Sequence, residues 1–158
     1  MNQTDQQTFL VIISAAAVLL VLFFIWFAFL YARKFKKKFQ GKELDEMEGH
    51  EFEYFCAKLL EDHGFDEVEV TKGSGDYGVD VLAEKDGVTY AVQCKRYDSP
   101  VGVKAVQEAC AGREYYDRMV GAVMTNQYFT QPAVEAAKKL KILLWDRGYI
   151  ESMLEEET

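Results

Sequence analysis

Apolar residues are distributed along the chain in one long run followed by several short ones. Residues 9–31 are 23 apolar or small residues without a charge, which is enough to span a bilayer as one helix. A cleaved signal peptide fits this run less well, because no basic residue precedes it and no small-residue cleavage site follows it. The pattern predicts a transmembrane helix at 9–31, with residues 1–8 as a short extracytoplasmic N-terminus.

The charges on either side of this run predict its orientation. Asp5 is the only charged residue before it, whereas six basic residues follow it within residues 32–47. They are Arg33, Lys34, Lys36, Lys37, Lys38 and Lys42. The positive-inside rule places that side in the cytoplasm, so we expect a single-pass protein of the inner or cell membrane with a cytoplasmic C-terminal domain. The basic linker at 32–47 would contact anionic lipid at roughly 1 kcal/mol per basic residue, and contact with nucleic acid is the alternative.

Beyond residue 47 the apolar positions follow the periods of helices and strands in turn. A helical period at 50–63 ends at Gly64, a residue type favoured after helix ends. Ser99 and Pro100 suit the cap and first turn of a second helix, which runs to about Asp117. Further predicted elements are strands at 65–71, 120–125 and 142–145, a hairpin within 75–97, and helices at 132–140 and 147–156. This order predicts an α/β domain with a mixed β-sheet flanked by helices on both faces.

A hairpin within residues 75–97 gathers unusual chemistry. Asp86-Gly87 between two apolar runs predicts its tight turn. If the residues beside this pair close the turn, Asp80 faces Gln93 on one face, and Lys95 shares that face because it lies two residues further on. The other face of the second strand carries three residues suited to a core, Tyr90, Val92 and Cys94. We expect the polar face to be poor in core residues, and an ordinary exposed strand face is the alternative.

Glycines precede the first strand of the hairpin. Gly73, Gly75 and Gly78 loosen this stretch, so that a backbone or a ligand can approach closely. Asp76 adds a second acid just before Asp80, in a role that the sequence leaves open.

The polar face of the hairpin suits a hard divalent cation, because one or two carboxylates with waters suffice to hold Mg²⁺. Asp80 supplies a carboxylate, Gln93 an amide oxygen and Cys94 a backbone carbonyl. Lys95 would orient or help deprotonate a metal-bound water, or hold a phosphate. Glu53, on the first helix, would complete the site directly or through water, or it is a surface acid near a helix N-terminus. The chemistry that fits is metal-dependent hydrolysis of a phosphodiester.

The three cysteines, Cys56, Cys94 and Cys110, lie within predicted helices or strands without paired spacing. In a cytoplasmic domain we expect them to be reduced and buried, and their spacing is not that of a zinc site.

Several stretches resemble the Mrr-like branch of the PD-(D/E)xK restriction-endonuclease superfamily. A helix glutamate, Gly-x-Asp and Gln-x-Lys follow one another at the spacing of that family. The matching stretches are HEFE at 50–53, GDYGVD at 75–80, VQCKRY at 92–97, VMTN at 123–126, FT at 129–130 with Ala133 and Ala137, and LWD at 144–146. The resemblance covers residues 48–150, leaving 151–158 as an acidic tail.

The resemblance implies a restriction-endonuclease-like fold and Mg²⁺-dependent cleavage of DNA, whereas the one N-terminal transmembrane helix predicted to precede this fold departs from the family. Asp80, Gln93 and Lys95 would be the catalytic positions, with Glu53 assisting. Gln93 stands where many superfamily members have an acid, but glutamine is usual in the Mrr-like branch. Combined with the predicted membrane helix, the resemblance implies a membrane-anchored deoxyribonuclease, like restriction enzymes of type II or IV, that acts on foreign DNA. Cutting both strands needs two active sites, so a homodimer is expected.

The net charge of the predicted domain argues against binding to DNA. Six of the 18 basic residues and one of the 26 acidic residues lie at or before Lys42. The remainder has 12 basic and 25 acidic residues, a net charge of −13, whereas nucleic-acid-binding domains are usually basic. This balance favours an alternative, a non-catalytic module of the same fold that binds nucleic acid or protein at the membrane. RNA as the substrate is a further alternative, because only the resemblance selects DNA.

Overall fold

The computed structural model describes residues 19–27, 43–72 and 77–156. The chain divides into two compact units, Met1–Gln40 and Gly41–Thr158. In the first unit, residues 19–27 are helical and their apolar side chains are exposed. Within the described ranges, no helix combines the length and the apolar character needed to cross a bilayer. Most of the predicted transmembrane helix at 9–31 lies outside the described residues, so that assignment stays a prediction.

The second unit is a mixed α/β domain. Its described residues form a sheet of five strands in the order β1-β2-β3-β4-β5. The strands β1, β2 and β3 pair antiparallel, whereas β3, β4 and β5 pair parallel. After a 3₁₀ turn at Glu43–Asp45, the elements are α1 (Gly49–Asp62), β1 (Asp66–Val70), β2 (Val81–Lys85), β3 (Val88–Lys95), α2 (Val103–Tyr115), β4 (Val120–Thr125), α3 (Gln131–Leu140), β5 (Ile142–Trp145) and α4 (Arg147–Glu156). The predicted order of elements is confirmed.

The β2–β3 hairpin has the predicted register. Lys85 pairs with Val88, and Leu82 pairs with Ala91. Asp86 and Gly87 both have positive φ, 52° and 77°, as the central residues of a type I′ turn require. The alternation of the two strands and the Asp-Gly pair are local signals, so the sequence alone fixes this register.

The polar face of the hairpin is not poor in core residues, and that expectation was wrong. Asp80 and Gln93 are only 8% and 3% exposed, and Val79, Leu82 and Ala91 form a buried cluster beside them. The reason is the position of β3 in the middle of the sheet, where both faces are covered. Helix α1 packs on one face of the sheet, and α2 covers the face that carries Gln93.

The sequence predicted that helix α2 begins with Ser99 as its cap, and this prediction was wrong. The N-cap of α2 is Gly102, and Val101 instead forms a parallel bridge with Phe129. The Val101 N–H donates to the Tyr128 carbonyl at 2.9 Å, and the Val101 side chain is fully buried. Burying this valine and satisfying its backbone outweighs the capping preference of the Ser-Pro pair.

Residues 44–47, which the sequence assigned to the linker, pack into the domain. Leu44 and Met47 are buried. Between them, the Asp45 carboxylate accepts hydrogen bonds from the Arg147 guanidinium at 2.9–3.1 Å and from Asn126 Nδ2 at 2.8 Å. These contacts hold the pKa of Asp45 below its usual value, and the hydrogen bond with Arg147 has the largest effect.

The contacts of Asp45 extend to the end of β3. Asn126 is fully buried, and its side chain accepts from the Tyr97 N–H and donates to the Tyr97 carbonyl, both at 2.9 Å. Arg96 also donates to the Asp45 carbonyl. The start of the domain is therefore tied to the residues that directly follow Lys95.

Two glycines let the backbone of α2 pack directly against the backbone of the loop before β2. A Cβ added to Gly112 would overlap Val79 Cγ2. A Cβ added to Gly78 would lie 2.9 Å from both Gln93 Oε1 and Glu108 Cβ. The expected close approach is thus found at Gly78, while Gly73 and Gly75 lie outside the described residues.

Replacing Gly78 by alanine should destabilise the domain more than the same change at Gly87. The two glycines have similar positive φ angles, 79° and 77°, but only Gly78 has neighbours within 4 Å of an added Cβ. Backbone strain alone should cost about 1–2 kcal/mol in both variants, and Gly78→Ala should lose more because of the clash. Urea denaturation of the full-length protein measures both losses, and equal losses would contradict the close approach of α2.

Replacing Asp45 by asparagine should lower the free energy of unfolding by about 1 kcal/mol at neutral pH, because the ion pair with Arg147 is partly exposed. Since the pKa of Asp45 is lowered by folding, its charge stabilises the domain above the usual value of 3.8, and this contribution is lost as the pH falls through the lowered value. The difference between wild type and Asp45→Asn should therefore shrink below pH 3.8.

The matched control for this prediction is Glu46→Gln, which changes the neighbouring exposed acid. Denaturation curves across pH measure both variants. Equal effects of the two substitutions at neutral pH would show that the Asp45 network contributes no specific stability.

Candidate active site

Asp80 is fixed at the start of the hairpin by its backbone and its side chain. Its N–H donates to the Val92 carbonyl and its carbonyl accepts from the Thr71 N–H, each at 2.9 Å. One carboxylate oxygen, Oδ2, accepts from the Cys94 N–H at 2.6 Å and from Gln93 Nε2. A carboxylate this deeply buried needs such donors, because an unpaired buried charge is costly.

Gln93 presents a buried oxygen that lacks a partner. Among the described residues, Gln93 Oε1 accepts no hydrogen bond although it is inaccessible to solvent. Buried polar atoms are nearly always satisfied, so such an atom points to a ligand, an ion or a water. A half-turn of the amide exchanges Oε1 and Nε2, and would bring the oxygen toward the Asp80 carboxylate.

Lys95 lies at the end of β3 and pairs with Glu108 on α2. Lys95 Nζ is 2.9 Å from Glu108 Oε2. Burial of the Lys95 ammonium works to lower its pKa, but the hydrogen bond and the charge of Glu108 outweigh this effect, with help from Tyr97 and Asp80. The pKa of Lys95 is therefore raised, and its protonated side chain can donate a hydrogen bond but cannot accept a proton.

No motif in the sequence marks Glu108. The only local signal was its spacing four residues after Lys104, which predicts an ordinary ion pair on a helix surface. The structure contains that pair at 3.6 Å, but the shorter contact of Glu108 is with Lys95. This contact depends on the packing of α2 over the sheet, which no motif in the sequence encodes.

Glu53 belongs to a different set of contacts. It lies on α1, where a hydrogen bond of 2.7 Å joins its Oε2 to His50 Nδ1. Its charge is near enough to Cys94 to contribute to the raised pKa of that thiol. The structure thus brings Asp80, Gln93 and Lys95 together and places Glu53 on the side of β3 that faces α1. Asp76 lies outside the described residues.

The cysteines are unpaired, as predicted. Cys56 and Cys94 are buried, and Cys110 is partly buried. The pKa of the Cys94 thiol is raised well above its usual value, first by a hydrogen bond with Cys56 and then by burial. A thiol held protonated in this way is a poor metal ligand and nucleophile. A ligand role for the backbone carbonyl of Cys94 stays a prediction.

The residues at this site fit a hard cation. Among the described residues, there is no group of three or more His, Cys, Asp or Glu side chains that could hold a metal ion. Mg²⁺ does not need such a cluster, since it keeps several of its waters. Asp80 offers a carboxylate, and Gln93, whose Nε2 donates to that carboxylate, carries an amide oxygen that accepts no hydrogen bond from the described residues. Oxygen donors of these two kinds suit a hard cation that keeps part of its hydration shell.

Comparisons with known proteins agree with this geometry. The family model Mrr_cat, described as a restriction endonuclease, matches residues 44–154. Among solved structures, the chain is similar to the protein of unknown function AF1548, with a TM-score of 0.60 and 28% sequence identity. That match covers 70% of this chain and 67% of AF1548. Comparison with curated proteins gives no match.

Two restriction enzymes share the fold at lower identity. The DNA modification-dependent restriction endonuclease AspBHI has a TM-score of 0.53 and 20% identity over 67% of this chain. The MspJI restriction endonuclease, solved in complex with a 27-mer oligonucleotide, has a TM-score of 0.52 and 18% identity over 66% of this chain. The matches span only 30% of AspBHI and 27% of MspJI.

The five-stranded mixed sheet flanked by helices is therefore shared with restriction endonucleases, and the resemblance seen in the sequence is confirmed. Since the family model covers most of its length, this chain belongs to the restriction endonuclease family that Mrr_cat describes.

Proposed function

We propose that this protein is a Mg²⁺-dependent DNA endonuclease that is anchored in the cell membrane with its nuclease domain in the cytoplasm. One observation carries the proposal. In a domain of the restriction endonuclease family, the buried Asp80–Gln93 pair lies beside the ammonium of Lys95 on a single hairpin. This arrangement combines oxygen donors for a cation with a positive charge suited to a phosphate.

Asp80 and Gln93 would hold the metal ion, with the Cys94 carbonyl and Glu53 as further candidates. A bound Mg²⁺ supplies a water of lowered pKa and neutralises charge on the phosphate. The Cys94 N–H fixes the orientation of the Asp80 carboxylate, so that its geometry does not depend on the metal. Preorganised donors of this kind need little rearrangement when the substrate binds.

Lys95 would act as a donor and a positive charge. Its ion pair with Glu108 keeps it protonated, which favours holding the scissile phosphate or orienting a water over removing a proton from that water. In this role its charge would stabilise the negative charge that develops during phosphodiester hydrolysis.

The proposed membrane anchor rests on the sequence. Residues 9–31 are long and apolar enough for one span, and the basic residues of 32–47 indicate which side lies in the cytoplasm. Restriction of foreign DNA and a homodimer that cuts both strands belong to the same proposal. The similarity of the fold to MspJI, which was solved with an oligonucleotide, supports a nucleic-acid partner.

The acidic balance of the domain favours a second candidate function. The sequence from residue 43 onward has a net charge of −13, whereas nucleic-acid-binding domains are usually basic. A non-catalytic module that binds nucleic acid or a protein at the membrane would fit this charge. Such a module would bind without cleavage, and its affinity for a nucleic acid would fall steeply with salt concentration.

Lys95→Ala should reduce cleavage of DNA by about 100-fold or more, because it removes the positive charge beside the phosphate. The full-length protein is incubated with supercoiled and linear DNA and with RNA, in the presence of Mg²⁺, Mn²⁺ or EDTA. Wild type should cut DNA with Mg²⁺ and lose this activity in EDTA.

The matched control is Lys138→Ala, which removes an exposed lysine from α3. It should cut like wild type. Equal activity of Lys95→Ala and wild type would remove Lys95 from the mechanism. A wild type that binds DNA but leaves every substrate uncut with every metal would favour the binding module.

A further inference from the structure

Glu108 occupies a position that the backbone fixes closely. It lies on α2 one turn before Gly112, on the part of the helix that packs against residues 77–79. At Gly78, an added Cβ would meet Glu108 Cβ at 2.9 Å and the Glu108 carbonyl at 3.2 Å. Because Gly78 and Gly112 have no side chains, α2 packs closely against this loop, and this packing fixes the position of the Glu108 backbone relative to the sheet.

The Glu108 carboxylate joins two lysines of very different exposure. Its Oε2 is 2.9 Å from Nζ of Lys95, and the two side chains are 31% and 18% exposed. Its Oε1 is 3.6 Å from Nζ of Lys104, whose side chain is 87% exposed. The contact with Lys95 is the shorter and the more buried of the two, so it is less screened by solvent.

Lys95 lies two residues after Gln93 on β3, so the two side chains share a face of the strand, and Gln93 Nε2 donates to the Asp80 carboxylate. The long side chain of Lys95 is flexible, and an ammonium is a compact charge that moves to the strongest acceptor. If Glu108 lost its charge, the attraction of Lys95 toward Asp80 would no longer be opposed. An ammonium drawn closer to Asp80 would compete with a cation for the same carboxylate.

We infer that Glu108 is a positioning residue that holds the Lys95 ammonium beside the Asp80–Gln93 pair and keeps it from competing with the metal ion for Asp80. The inference rests on the proposed function, in which Asp80 and Gln93 hold the metal. It assigns no contact with the substrate to Glu108, which acts only through Lys95.

Glu108→Gln tests this role in the full-length protein, because it removes the charge with almost no change in shape. Its kcat for DNA cleavage with Mg²⁺ should fall by about 10- to 100-fold, since a displaced catalytic group costs that much. Its KM should change by less than about threefold, because the interaction is needed at the reaction step rather than for binding. Glu108→Asp keeps the charge and should restore part of the loss.

The matched control is Glu114→Gln on the same helix. Glu114 is exposed and pairs with Arg113 instead of a site residue, so this variant should keep the kcat of wild type.

A second measurement follows Lys95 without DNA and without metal. In protein labelled with ¹³C at the lysine ε-carbons, the NMR signal of Lys95 is assigned by its loss in Lys95→Arg. Glu108→Gln should shift this signal, while Glu114→Gln should leave it in place. A purely structural role of Glu108 would instead lower thermal stability and move signals throughout the domain.

The outcomes separate the inference from the proposed function. A wild type that fails to cleave overturns the proposed function and the inference with it. A wild type that cleaves beside a Glu108→Gln variant of equal or higher kcat overturns only the role of Glu108. An unmoved Lys95 signal in Glu108→Gln overturns that role as well. If Glu108→Gln does not fold, Glu108→Asp takes its place, because its shorter side chain should also shift the Lys95 signal, and an unmoved signal in Glu108→Asp then overturns the role.

Discussion

The buried carboxylate of Asp80 is the constraint around which this part of the domain is built. An ionised group that leaves water costs several kcal/mol unless donors or opposite charges replace the solvent. Here the Cys94 N–H and the Gln93 amide donate to one carboxylate oxygen, and Lys95 supplies an opposite charge nearby. Each of these groups is available because β2 and β3 pair in one register, in which Val81 lies opposite Val92 and the Asp80 N–H donates to the Val92 carbonyl. A register shifted by one residue would turn Gln93 and Lys95 to the other face.

Helix α2 completes the surroundings of Asp80 and Gln93 by covering the face of the sheet that carries Gln93. Glycines at positions 78 and 112 allow it to lie at backbone distance from the loop before β2. From there Glu108 places a second carboxylate against Lys95, with Lys104 on its outer side. Acidic and basic groups therefore alternate from Asp80 to the surface. This alternation limits the repulsion between the two carboxylates and confines an ammonium to the inner part of the site.

Local signals explain what the sequence could predict. The Asp-Gly turn and the alternating strands fix the hairpin, and the apolar runs of β4 and β5 mark these strands at their observed bounds. The predictions that were wrong concern residues whose structure depends on tertiary contacts. Ser99 and Pro100 carry the signal of a helix start, but burial of Val101 overrides it. The burial of Leu44 and the packing of α2 against Gly78 likewise have no signature within a short stretch of chain.

The proximity of Asp80, Gln93 and Lys95 was predicted from alternation and turn geometry, whereas Glu108 required the path of α2. The central claim is that the Asp80–Gln93 pair binds a divalent cation. A titration of the full-length protein with Mg²⁺, followed by NMR at the Asp80 carboxylate carbon and the Gln93 side-chain amide, tests it most directly. Both signals should shift together along one binding curve in wild type and stay fixed in Asp80→Asn. Signals of this pair that do not respond to Mg²⁺ in wild type would contradict the account.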